Sequence, residues 1–281
     1  MLRTRLLVLP VALALAGAAQ VGLAKAPEEI LDELVAKSNK SAYLTQSPQN
    51  RMLMPENPAY DWIDEGGKLF KQKRGPKNAS LEGCDFGKGP GVVKGAYVEL
   101  PRYFADAGKV MDFEARLVYC MKTQQGFTDE DAQIKTRHGA KSDIMKLSTY
   151  VAAQSNGLAW NPPLSHPQEK AMRDAGEVLF YRRSGTMDFG CITCHSRTGA
   201  RIRASVLPNL KEPLEWTKSI SWPAYRTSHE VARSSQHRVL ECLWQMRYPN
   251  IKPDSDVNIA FISFWTDAAR GQPAILPDMK R

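Results

Sequence analysis

One pentapeptide, Cys191-Ile192-Thr193-Cys194-His195, constrains this chain more than any other feature. Two cysteines three residues apart, followed at once by a histidine, have the spacing at which a c-type haem is attached. Each thiol adds to one vinyl group, and the imidazole becomes the proximal axial ligand of the iron. A zinc site would need a second Cys/His pair at its own close spacing, and the sequence holds none. Cys191 and Cys194 are therefore the expected attachment points of a covalent haem c, with His195 on the iron.

The N-terminus sets the compartment in which that chemistry is expected. Arg3 and Arg5 precede the apolar run Leu6 to Ala16, and small residues follow as far as Ala24, so residues 1–24 read as a secretory signal peptide. The run is too short to span a bilayer comfortably, and no later stretch approaches the roughly 20 apolar residues of a membrane span. A periplasmic protein without a membrane span is expected. Loss of the signal removes two arginines and no acids, taking the formal charge from +8 to +6. That mild excess suits a small anion or an acidic partner surface. Nucleic-acid binding would require a concentrated Lys/Arg stripe with interleaved aromatics, which is missing. The cysteine count is five, odd for an oxidising compartment. With Cys191 and Cys194 assigned to haem, Cys84 and Cys120 form a candidate disulfide. Cys242 is left without a thiol partner, as a reactive thiol or a ligand.

The chain also repeats itself. Displaced by 110 residues, Asp64, Gly66, Leu69, Phe70 and Gly75 meet Asp174, Gly176, Leu179, Phe180 and Gly185. Cys84 falls on Cys194, but Leu81 stands where Cys191 is and Asp85 where His195 is, so the first copy has lost its haem. Further on, Arg116-Leu117-Val118-Tyr119-Cys120 parallels Arg238-Val239-Leu240-Glu241-Cys242 at an offset larger by twelve. An internal duplication explains both. The expectation is a mainly α protein of two tandem cytochrome c-like domains with one haem in all: an N-terminal arm over 25–57, a haem-less domain over 58–160 and a haem domain over 161–281. If Cys242 lies on the distal side of its haem, Cys120 lies at the equivalent place with no haem between it and Cys84, within disulfide reach.

Periodicity predicts helices over Trp62 to Lys73, Asp143 to Gly157, Gln168 to Tyr181, Glu230 to Met246 and Pro253 to Trp265, the last trailed by a loose tail. On the helix from Glu230, Val239, Leu243 and Met246 mark an apolar face, and Arg238, Cys242 and Gln245 share another. His237 points about 100 degrees away from Arg238. Arg247 is a further candidate contact for an anion, a haem propionate or the surface.

Leu81-Glu82-Gly83-Cys84-Asp85-Phe86-Gly87, Gly95-Ala96-Tyr97, Leu100-Pro101-Arg102-Tyr103, the pentapeptide itself and Glu241-Cys242-Leu243-Trp244-Gln245-Met246-Arg247 together resemble the SoxA family, the larger cytochrome subunits of SoxAX complexes in bacterial sulfur oxidation. The resemblance covers both domains in order. It implies His195 as proximal and Cys242 as distal haem ligand, the latter able to carry an extra sulfur as a persulfide, and Arg238 as the thiosulfate-binding residue. With no CxxCH in its first half, the chain resembles the single-haem members, in which the two leftover cysteines form a disulfide. The activity implied is oxidative coupling of thiosulfate to a cysteine of a SoxYZ-like carrier protein, with electrons leaving through a small SoxX-like cytochrome. The alternative is a plain electron carrier whose haem is bound by His195 and a methionine, Met246 being the plausible one, with Cys242 inert.

Overall fold

The computed structural model describes residues 57–139, 142–202 and 205–280. The signal peptide and nearly all of the N-terminal arm lie outside the described residues. Two long helices open the two halves: α1 (Tyr60–Lys71) and α5 (Pro167–Tyr181). Each packs against the helix that closes its half, α4 (Asp143–Ala153) and α9 (Asp256–Ala268) respectively. Both contacts pivot on a glycine that the repeat aligns. A Cβ on Gly66 would run into the Lys146 carbonyl, and one on Gly176 into the Ala260 carbonyl, so only glycine lets the helices approach this closely.

After the first helix each half makes the same turn. Gly75 (φ +69°) and Gly185 (φ +71°) adopt a left-handed backbone, beside antiparallel bridges Arg74 to Ala79 and Ser184 to Phe189. A short helical turn comes next, Leu81–Gly83 in the first half and α6 (Cys191–Cys194) in the second.

Two small hairpins then occur in matching register. β1 (Arg102–Phe104) pairs with β2 (Lys109–Met111), Arg102 opposite Met111; β5 (Ala224–Arg226) pairs with β6 (Val231–Arg233), Ala224 opposite Arg233. The offset is 122 in both strands, which is 110 plus the twelve inferred from sequence. Each hairpin leads into a capped helix. Asp112 accepts from the Ala115 N–H at the start of α2 (Phe113–Cys120), and Ser234 from the His237 N–H at the start of α8 (Ser235–Gln245). Other described elements are a 3-10 turn (Tyr97–Glu99), a π-helical turn (Met121–Gln125) that extends α2, α3 (Ala132–Lys135), β3 (Arg201–Ile202), β4 (Ser205–Val206) and α7 (Pro213–Ile220). No described helix is long and apolar enough to cross a membrane.

Two expectations need correcting. The last helix runs three residues further than expected, to Ala268, and the segment beyond it is not a loose tail: β7 (Asp278–Lys280) lies parallel to β5 and completes a three-stranded sheet. Asn57 caps this sheet, its side-chain amide donating to the carbonyls of Pro277 and Asp278. The other departure is in α8, which starts at Ser235 rather than Glu230, because Val231 to Arg233 are taken up by strand pairing.

The Cys84 and Cys120 sulfurs are bonded in the structure, with Cα atoms 5.8 Å apart and both residues essentially without exposure. The core of this half packs rings: Phe86 stacks on Phe113 with centroids 5.0 Å apart, and Tyr97 lies 5.3 Å from Phe113. The halves join along residues 157–160, which pair with 271–274, and around Trp160, whose indole N–H donates to Thr217.

Candidate functional site

α6 is a single helical turn, closed by the His195 N–H donating to Cys191 O at 3.1 Å and steadied by the Gly190 N–H donating to Thr193 Oγ1 at 3.0 Å. One turn is the geometry that brings residues three apart to neighbouring positions on the helix surface, here Cys191 and Cys194. His195 leaves the helix and is buried, 7% exposed. Its Nδ1 lies 2.9 Å from the carbonyl oxygen of Pro208. A carbonyl can only accept, so the proton sits on Nδ1 and the lone pair on Nε2, the arrangement of a metal-binding histidine oriented by a backbone acceptor. Burial holds the imidazole neutral, pushing its pKa down to about 4, with Arg238 adding to the shift and the Pro208 bond opposing it.

Above this turn stands α8. Val239, Leu243 and Met246 bury one face, and the half-buried Cys242 and Arg238 stand on the next. Cys242 is near enough to both haem-type cysteines for its charge to act on them. Burial first, and the field of Cys242 second, push the Cys191 and Cys194 thiols up. The fold therefore gathers Cys191, Cys194, His195, Arg238 and Cys242 into one region. Cys84 and Cys120 are brought together elsewhere, in the first half.

The donor set fits a c-type haem. Two thiols stand one turn apart beside a buried neutral imidazole with Nε2 as its lone pair, and the Cys242 thiol is within electrostatic reach of both. The two rings that fill the first half are also replaced in the second by small residues, Phe86 by Ser196 at offset 110 and Phe113 by Ser235 at offset 122. Met246, the sulfur an ordinary electron carrier would use, is buried in the apolar core beside Val239 and Leu243. The Arg247 guanidinium lies 4.6 Å over the Trp244 ring and donates to the Trp244 carbonyl.

Sequence reasoning missed much of the charge around Cys242. Glu241 accepts from Arg226 at 2.7 Å and from Arg238 at 3.4 Å, with His229 at 3.6 Å and His237 at 3.8 Å. Burial pushes its carboxyl up, but Arg226, Arg238 and the two histidines outweigh that and hold it low. His237 is kept neutral, its pKa pushed down to about 4 mainly by burial. It meets the His138 ring of the first half edge-on at 5.4 Å, and His138 in turn bonds Glu114 at 2.6 Å. The signal for Arg226 was available in the hairpin register at offset 122, which no short motif expresses.

Known proteins share this framework. The family model described as SoxA/TsdA, cytochrome c domain, matches residues 65–160. The L-cysteine S-thiosulfotransferase subunit SoxA of Hydrogenophilus thermoluteolus is 40% identical over 230 residues, covering 80% of this chain and 83% of the relative. A subunit of the same name from Hydrogenobacter thermophilus is 34% identical over 203 residues, 71% of this chain and 74% of its own. Among solved structures, the crystal structure of SoxXA from P. pantotrophus is similar in fold, with a TM-score of 0.66 and 22% identity, covering 80% of this chain and 79% of that one.

Proposed function

Because the chain belongs to the SoxA family of L-cysteine S-thiosulfotransferase subunits, we propose that it joins thiosulfate oxidatively to a cysteine of a SoxYZ-like carrier, with Cys242 as the sulfur centre and Arg238 as the cation that receives the substrate. The step balances as a thiol plus thiosulfate giving an S-thiosulfonate, one proton and two electrons: one S–S bond forms, the thiol loses its proton, and the electrons pass to a SoxX-like partner cytochrome. The protein would act in the periplasm after loss of residues 1–24.

One haem c would be held by Cys191 and Cys194 through thioethers, with His195 and Cys242 donating to its iron. When bound, it supplies an iron whose thiolate ligation is electron-rich and tunes the Cys242 sulfur. The chain's own residues do the rest. Pro208 O orients His195 through Nδ1. Arg238 offers a planar fork of donors to a sulfonate-like anion and offsets the repulsion between that dianion and a thiolate-derived sulfur.

The observation that carries this reading is the position of Arg238 one helical turn before Cys242 on the same helix, both half-buried. Arg238→Ala tests it. Coupling should slow by about 10²-fold, the scale seen on removing one donor from a charge-stabilising site, while the haem spectrum stays as in the parent, because Arg238 is not a ligand. Undiminished coupling in that variant would remove the reading. The ferric spectrum should also be low-spin and lack the weak far-red band of methionine ligation.

A further inference from the structure

The two halves are copies of one framework, and the haem-less copy serves as an internal control for the live one. Arg116 is the counterpart of Arg238 at offset 122. In the first half its Nη1 donates to both Asp106 carboxylate oxygens at 2.9 and 2.8 Å, and its Nε donates to Asp85 O at 2.7 Å. Phe104 lies 4.1 Å from it, face on, and Tyr119 closes another side at 5.0 Å. Arg116 is 4% exposed and is paired with the carboxylate of Asp106.

Three of these places read differently in the second half. Ser228 stands at the position of Asp106, so the carboxylate that neutralises the arginine is gone. Arg226 stands at the position of Phe104, so the apolar lid has become a second guanidinium. Glu241 stands at the position of Tyr119. Because β1–β2 and β5–β6 share their register, Arg226 projects from its strand as Phe104 does from its own, toward the helix that carries the arginine.

Glu241 is bound by both guanidiniums, Arg226 at 2.7 Å and Arg238 at 3.4 Å. Arg233, on the partner strand, adds a third guanidinium within electrostatic reach of Arg226. Arg226 is itself close enough to Cys242 to feel its charge. Its Nε is buried and has no hydrogen-bond partner among the described residues, and its Nη2 has only a long contact to Ser228 Oγ at 3.4 Å. Two guanidiniums repel each other, and Glu241 between them offsets that repulsion and holds them side by side.

We propose that Arg226 is a second anion-binding residue of the site, held beside Arg238 by Glu241, and that the two guanidiniums together take the sulfonate end of a doubly charged thiosulfate-type anion. This rests on the reading of Cys242 and Arg238 as the thiosulfate site. Glu241 is the positioning residue: it sets the distance between the forks and is not itself in contact with substrate. Two forks match three sulfonate oxygens better than one, and they leave the sulfane sulfur of the anion as the end turned to Cys242.

The test is Arg226→Gln, assayed as the full haem protein with its partner cytochrome and carrier. KM for thiosulfate should rise about tenfold or more, the cost of one charge-assisted contact, with kcat changed much less and the Soret spectrum unchanged. Inhibition by inorganic sulfate, an unreactive dianion, should weaken by a similar factor, which a role confined to holding the hairpin would not produce. A parental KM together with parental sulfate inhibition overturns the proposal. If Arg226→Gln does not accumulate with haem, Arg226→Lys decides: it keeps a charge for Glu241 but loses the fork, so KM should still rise several-fold, and an unchanged KM overturns the proposal. Arg238→Ala and Cys242→Ser run alongside. Should those two couple normally, the reading of the whole site fails; should they fail while the Arg226 variants behave as the parent, only the second residue is wrong.

Discussion

Replacing both Cys84 and Cys120 by alanine opens a loop whose ends are 36 residues apart in sequence. The chain-entropy model assigns a cross-link of that span roughly 4 kcal/mol, through restriction of the unfolded chain. Removing two fully buried sulfur atoms adds on the order of 1 kcal/mol each in lost apolar burial. The double variant should therefore unfold about 6 kcal/mol more readily, and for a chain of this size its melting temperature should fall by about 10 °C or more. Guanidinium titration of the haem-loaded protein measures this, with far-UV circular dichroism following both halves and Soret absorbance following the second. Without denaturant the Soret band should match the parent, because neither cysteine belongs to the group around His195. A variant within about 1 kcal/mol of the parent would refute the reasoning, showing that packing of Phe86, Phe113 and Tyr97 holds this half without the cross-link.

Intact mass of the mature protein should show a single haem increment and the two-hydrogen deficit of one disulfide, since Leu81 and Asp85 occupy the positions a second haem would need; an increment of two haems would contradict this. Asp112 should make stability fall with rising pH. Burial, then the neighbouring Glu114, pushes its carboxyl up to about 7, with Asp254 also raising it and the Ala115 N–H and Gln236 amide opposing. Its folded pKa lies above the unfolded value, so its contribution is complete below about pH 4 and is lost as pH climbs through about 7, an effect on the order of 3 to 4 kcal/mol at most. Asp112→Asn keeps an acceptor oxygen for Ala115 and Gln236 without the ionisation. Denaturation at pH 5 and pH 8 should show a smaller fall for the variant, and an identical fall in both proteins would assign the effect to other groups.

Much of the frame was legible because duplication left residues whose physical roles cannot be exchanged. Gly66 and Gly176 are fixed by helix contacts that exclude a Cβ, and Gly75 and Gly185 by positive φ, so a simple displacement of the sequence finds both halves. Helical periodicity likewise marked Val239, Leu243 and Met246 as a buried face, and they are buried. The short strands were not legible. β5, β6 and β7 have three residues each, too few for alternation to register, and β7 pairs with a strand more than fifty residues earlier. The polar network between the halves escaped for the same reason. Gln236 is fully buried and donates to both Asp112 at 2.8 Å and Asp254 at 2.9 Å, contacts that depend on tertiary position alone. In the candidate site, the pentapeptide announced its chemistry through spacing, whereas Arg226 acquires meaning only beside Phe104 in the aligned hairpin.

The most direct measurement is thiosulfate coupling by Cys242→Ser, assayed with the partner cytochrome and the carrier and set beside its haem spectrum. One sulfur is held to be both iron ligand and reaction centre, so the expected result is a changed spectrum and no turnover in the same protein. Full coupling activity in Cys242→Ser would contradict the account and leave a plain electron carrier in its place.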